Sequence, residues 1–164
     1  MSRQKTIDRV ISGLRLLSEK ETGNFIVDGV RPKVVVEVDS EEEVATLLKL
    51  ASEEYITVVP WGGGTMMGLG NIPRSVDIVV SLRRLNRIIE YSPEDLVVTS
   101  GAGLTLESLQ SLLSKNGQFL PLDPPYSDVA TLGGIVSSNA FGPLRYLYGG
   151  VRDLLLGVRV AGTN

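Results

Sequence analysis

Residues 33–60, KVVVEVDSEEEVATLLKLASEEYITVVP, constrain the architecture more than any other stretch of the chain. A β-branched apolar run comes first, then a segment of helical periodicity, then a second β-branched run. Ser40 and Glu43 have the spacing of a capping box, and Glu41 and Glu42 suit the positive end of a helix. Val44, Leu47, Leu48 and Ala51 recur on one face of that helix. Strand, helix and strand within about thirty residues form a βαβ unit, with a parallel pair and a right-handed crossover expected. The second strand runs directly into VVPWGGGTMMGLGNIP, residues 58–73.

The rest of the chain is organised around that unit. TIDRVISGLRLLSEK places Ile7, Val10, Ile11, Leu14 and Leu17 at helical spacing, which predicts an opening helix ended by Gly23 and Asn24. After the glycine stretch, VDIVVSL, NRIIEYS and LVVTSGAG read as short strands with the turn SPED between the last two. TLESLQSLLSKNG reads as a helix capped by Thr105, with Glu107 in its first turn and Gly117 as its stop. FLPLDPPYSD is a proline-rich loop, and ATLGGIVSSNAFG is too broken by glycine for a long helix. VRDLLLGVRVAGTN is a further strand candidate. The expectation is an α+β fold in one domain of two lobes, about 1–74 and 75–164, with a boundary near 72–76.

Composition narrows the chemistry. The 164 residues are 43% hydrophobic and 21% charged, ordinary globular usage. The net charge of -3 argues against a nucleic-acid partner. Arg83, Arg84 and Arg87 cluster, but Asp77 and Glu90 flank them, so the cluster reads as a solvated face. The chain has no cysteine and no histidine. Disulfides and thiolate metal sites are thereby excluded, along with the commonest general base and metal ligand. The opening MSRQKTIDRVISGLRLL lacks a signal-peptide core, and no run approaches the roughly 20 apolar residues of a membrane span. No metal site is expected, and a cytoplasmic location is.

The glycine loop admits two readings. It is a flexible connection, or a cradle in which backbone N–H groups converge on a phosphate. Gly62, Gly63 and Gly64 in succession carry an entropic penalty of up to about 1 kcal/mol each relative to alanine, and Thr65 adds a hydroxyl. No lysine follows in the position a P-loop requires, and Met67 stands where a dinucleotide fingerprint needs its third glycine. GAGLTL at 101–106 misses the same fingerprint at Leu106. A second glycine pair, Gly133 and Gly134, lies beside Thr131 and ahead of Ser137, Ser138 and Asn139. That pair fits a tight helix contact as well as a polar ligand. Together the two loops suggest one extended anionic ligand.

VVPWGGGTMMG, DLVVTSGAGLTLESLQSLLSKNGQFLPLDPP and ATLGGIVSSNAFGPLRYLYGGVRDLLLGVRV taken together resemble the PCMH-type FAD-binding domain of the vanillyl-alcohol-oxidase flavoprotein superfamily. The likeness covers about residues 30–160 and is nearest to the FAD-binding subunit of glycolate oxidase. It implies a small βαβ lobe and a mixed or antiparallel lobe holding FAD between them. By that likeness Trp61, Gly62, Gly63, Gly64, Thr65 and Gly68 wrap the pyrophosphate. Asp123, Thr131, Gly133, Gly134, Ser138 and Asn139 then line the ribityl and flavin side, and Val160 lies on a strand near the adenine. Relatives that tether FAD use histidine or cysteine, so FAD here would be non-covalent. The implied function is a component of a 2-hydroxyacid oxidase or dehydrogenase, of glycolate or D-lactate type, that works with other oxidoreductase subunits. A non-catalytic nucleotide- or anion-binding module, or a structural subunit of a larger flavoenzyme, is the alternative. The chain is shorter than the family pattern, which continues into a substrate domain, and its isolated activity is expected to be poor. Arg145, Arg152, Tyr146 and Tyr148 fit salt bridges and packing better than ligand contacts, and the catalytic residues are unassigned.

Overall fold

In the computed structural model, which describes residues 2–163, the chain divides into two units. The first holds the described residues through Trp61, together with Met67–Leu82 and the residues from Arg159 onward. The second holds Gly62–Met66 and Arg83–Val158. The strand formed by Ile78–Ser81 adds to the first sheet, so the residues through Leu82 stay with the first unit.

The first unit opens with helix α1 (Arg3–Val10), capped by Ser2, whose hydroxyl accepts from the Lys5 N–H. Ile7 and Val10 are its buried face. The helix is shorter than its apolar spacing suggests. Gly13 takes φ +84°, a left-handed conformation that ends regular structure. Leu14 and Leu17 therefore leave the helix, and Arg15–Leu16 becomes strand β1. A single turn, α2 (Glu19–Thr22), follows, with Ser18 and Glu21 closing its start.

Strand β2 (Val34–Glu37), helix α3 (Glu41–Glu53) and strand β3 (Val58–Trp61) are the βαβ unit. Ser40 caps α3 by accepting from the Glu43 N–H, and Leu47 and Ala51 are buried on its inner face. The two strands are parallel in direction but not adjacent. Strand β4 (Ile78–Ser81) inserts between them, pairing parallel with both, and the sheet order is β1-β2-β4-β3. The cause lies in the residues: all four β4 side chains are buried, as suits a central strand covered on both faces. Val79 shares one face with Val35 and Trp61 in a core that includes Phe25, Val27 and Val76. Ile78 and Val80 alternate to the other face and are equally buried.

The second unit contains the antiparallel pair β5 (Ile88–Ser92) and β6 (Val97–Ser100), with a register irregularity between Ile88 and Glu90. Helix α4 (Leu106–Leu113) follows, its end tightened into a 3-10 turn (Ser114–Asn116) and stopped by Gly117 at φ +66°. Then come α5 (Leu132–Ser138), α6 (Arg145–Tyr148) and α7 (Val151–Leu154). Leu104, Leu109 and Leu113 form one core cluster, and Leu106, Leu122, Ala130, Ile135 and Val151 form another. The strand expected within 151–164 is not present among the described residues. Val151–Leu154 is a helical turn, and the segment from Leu155 has no regular structure, with Leu156, Val158 and Val160 exposed. No described strand pairs with it, so nothing satisfies its backbone as a ladder would.

Candidate functional site

Two helix starts lie side by side in the second unit. Thr105 caps α4 by accepting from the Ser108 N–H, and Thr131 caps α5 by accepting from the Gly134 N–H. An antiparallel bridge joins Thr105 to Thr131, with Leu106 N donating to Ala130 O and Leu132 N to Leu104 O. Gly133 donates to Ala102 O at 2.8 Å, and a Cβ at Gly133 would collide with Ala102. The second glycine pair thus lets α5 begin directly against the chain that enters α4.

Gly62–Thr65 packs onto this platform. A Cβ on Gly62 would overlap the Thr131 hydroxyl, and one on Gly63 would overlap the Val129 carbonyl. Gly64 turns the chain at φ +79°. Each glycine therefore has a physical reason: two for close approach, one for backbone conformation. The carbonyls of this loop are also engaged, since Arg83 Nε donates to Gly62 O at 3.0 Å and Nη2 to Gly63 O at 3.4 Å. The N–H groups of Gly63, Gly64 and Thr65 donate to no described residue. A cavity of about 310 Å³ opens beside the loop, lined among others by Gly63, Arg83, Asn86, Thr105, Asp128 and Thr131.

The remaining expected residues of this unit serve local structure. The Asp123 carboxylate accepts from the Gly142 N–H at 3.0 Å and the Leu144 N–H at 3.1 Å, fastening the loop after α5. Ser138 donates its hydroxyl to Gly134 O at 2.6 Å. Asn139 ends α5 in the left-handed region at φ +49°, a position asparagine tolerates. Arg145 lies over the Phe141 ring at 3.9 Å, and Tyr148 meets Phe119 edge-on at 5.6 Å. Tyr146 is exposed.

Trp61, Gly68 and Val160 belong to the first unit. Trp61 ends β3 and packs on Phe25 at 4.9 Å between ring centroids. Its indole N–H and the hydroxyl of Ser81, its register partner on β4, are buried without a hydrogen-bond partner among the described residues. Gly68 and Val160 are exposed.

Arg83 and the cavity residues Asn86, Asp128 and Ser108 escaped the sequence reading. Arg83 is exposed, as the charge pattern suggests, and its guanidinium also reaches the glycine loop. A signal exists only once the register is known. Trp61 pairs with Ser81, so the residues that follow each strand run side by side. Among the described residues no group of three acidic, histidine or cysteine side chains could hold a metal, and no helix is long and apolar enough to cross a membrane.

Residues 32–163 match a family described as FAD binding domain. D-lactate dehydrogenase of Anaerostipes hadrus is 37% identical over 130 residues, 79% of this chain and 27% of that enzyme. Glycolate oxidase subunit GlcD of Bacillus subtilis is 31% identical over 81% of this chain and 28% of its own length. The mitochondrial D-2-hydroxyglutarate dehydrogenase of Bos taurus is 31% identical over 94% of this chain and 29% of its own. The chain thus spans less than a third of the length of each of these relatives. Among solved structures, alkyldihydroxyacetonephosphate synthase superposes with a TM-score of 0.77 at 22% identity, over 93% of this chain and 35% of that one. p-Cresol methylhydroxylase superposes with a TM-score of 0.67 at 20% identity, over 85% of this chain and 30% of that one. The fold is therefore the α+β fold of these proteins, and the chain belongs to the FAD-binding domain family.

Proposed function

We propose that this chain binds FAD without a covalent bond and seats its diphosphate on Gly62–Thr65, as part of an oxidoreductase acting on a small 2-hydroxy acid. The observation that carries the reading is the set of N–H groups on Gly63, Gly64 and Thr65, which have no partner among the described residues. Successive unpaired N–H dipoles form a concavity suited to an anion and need no lysine. The loop is crowded by protein on its Cα side, so the glycines leave room for the platform, and the N–H side is left to the ligand.

Bound FAD would supply the hydride-accepting chemistry, while the protein orients it and excludes competing reactions. In this chain Thr131 supports the loop from beneath, Gly133 lets α5 start against Ala102, and Ser138 and Asn139 close that helix. Neither histidine nor cysteine is present among the 164 residues to form a tether. The names of the curated relatives, D-lactate dehydrogenase, glycolate oxidase subunit and D-2-hydroxyglutarate dehydrogenase, support a 2-hydroxy acid as substrate class. The GlcD name supports a subunit role alongside partner subunits. Their greater length supports a substrate pocket built mainly by polypeptide outside the matched region. We place the protein in the cytoplasm on the same reading.

Equilibrium dialysis of the purified chain against FAD tests this. The expected result is saturable retention of flavin at one per chain, removed by unfolding in guanidinium because no covalent bond holds it. Gly64→Val, which forces a β-branched side chain into φ +79°, is expected to weaken retention at least tenfold, a free-energy change of about 1.4 kcal/mol. No retention by the wild-type chain, or full retention by the variant, contradicts the reading.

A further inference from the structure

Arg83 lies outside every glycine motif, yet its planar fork reaches two successive carbonyls of the loop, Gly62 O and Gly63 O. In a trans peptide the C=O of one residue and the N–H of the next point in opposite directions. No peptide bond among the described residues is cis. Drawing the Gly62 and Gly63 carbonyls toward the guanidinium therefore turns the N–H groups of Gly63 and Gly64 the other way. Those N–H groups are among the ones without a partner among the described residues. The Cα edge of the loop is fixed independently, against Thr131 and Val129. With carbonyls and Cα edge both held, the loop has one open side, and it is the donor side.

We propose that Arg83 is the positioning residue of the anion-binding loop: by holding back two carbonyl oxygens, it presents the Gly63 and Gly64 N–H groups to a bound diphosphate. The proposal deepens the FAD reading and rests on it for the identity of the ligand. The electrostatic logic is simple. A glycine loop can flip its peptides at low steric penalty, and a flipped peptide would aim a carbonyl oxygen at an anion, replacing attraction with repulsion. A guanidinium offers donors in a rigid plane that can take two acceptors at once, whereas a lysine ammonium is a single mobile point. Arg83 thus acts through the loop.

Three ligands and two variants test this. Inorganic pyrophosphate is titrated into 15N-labelled wild-type chain, and FAD and riboflavin affinities are measured for the wild type, Arg83→Met and Arg83→Lys. The expected result is that the Gly63 and Gly64 amide signals move with pyrophosphate in the wild type and stay still in both variants. FAD affinity is expected to fall about tenfold in both, the value of one lost positioning interaction near 1.4 kcal/mol. Affinity for riboflavin, which lacks phosphate, is expected to stay within twofold, and the melting temperature to hold. Full FAD affinity in Arg83→Lys would overturn the proposal, since charge and not the fork would then suffice. Wild-type amides that ignore pyrophosphate would overturn it without any variant having to fold. If the wild type binds pyrophosphate in this Arg83-dependent way but not FAD, the FAD reading falls and the positioning role stands.

Discussion

Asp77, fully buried at the entrance to the central strand, shows how a single residue joins distant parts of the first unit. Its carboxylate accepts from Arg3 Nη2 at 2.6 Å, Lys33 Nζ at 2.8 Å, and the Thr57 N–H and hydroxyl at 3.0 and 2.9 Å. Burial alone would raise its pKa, but these hydrogen bonds outweigh burial and hold the carboxyl well below the usual carboxylate range. A depressed folded-state pKa contributes stability that is present above the unfolded value of about 3.9 and lost as pH falls through and below it. Asp77→Asn removes the charge and leaves two half-exposed cations that water can reach. The expected loss is therefore about 2–4 kcal/mol at pH 7, nearer the lower end for a broken buried pair. Urea unfolding at pH 7 and pH 3 checks it: the wild type should lose stability between the two, and the variant should lose less. Equal losses would remove Asp77 from the acid response. Ser81 is the opposite case. Its hydroxyl is buried with no partner among the described residues, so Ser81→Ala is expected to stabilise the chain by up to about 1 kcal/mol, the low end of an unsatisfied group's penalty. A loss of stability in the same unfolding assay would mean that the hydroxyl has a partner in solution.

At the scale of elements, local pattern carried far. Strands β2 to β6 and helices α3 and α4 follow from β-branched runs, apolar periodicity and caps at Ser40 and Thr105. Such signals act within a few residues and are visible in one dimension. Strand order is different. It depends on β4 being more thoroughly buried than its neighbours, a comparison between segments some twenty and forty residues apart in sequence. The glycine loop stands out in the sequence, but the reason for Gly62 and Gly63 does not, because their crowding comes from Thr131 and Val129. Arg83 was missed for the same reason, its partners being 21 and 20 residues away. The segment from Leu155 marks the limit of propensity. Its composition favours a strand, but a strand needs a ladder partner, and none of the described strands supplies one. Leu156→Ser with Val158→Thr should therefore change unfolding free energy by less than about 0.5 kcal/mol, as for exposed positions generally. A larger loss in a urea melt would show that these side chains are covered in solution.

At the scale of the whole molecule, the chain carries the family's FAD-binding domain fold within less than a third of its relatives' length. The glycine loop, its platform and Arg83, proposed to hold the diphosphate, all fall within the second unit. With a net charge of -3, attraction for an anionic ligand would have to come from local groups and not from overall charge. The most direct measurement is displacement of FAD from the purified chain, followed by flavin fluorescence while ADP or riboflavin is added. ADP carries the diphosphate and riboflavin does not, so the account predicts that ADP displaces FAD with increasing concentration and riboflavin at the same concentrations does not. Displacement by riboflavin with none by ADP would contradict it, because the glycine loop would then not be what holds the cofactor.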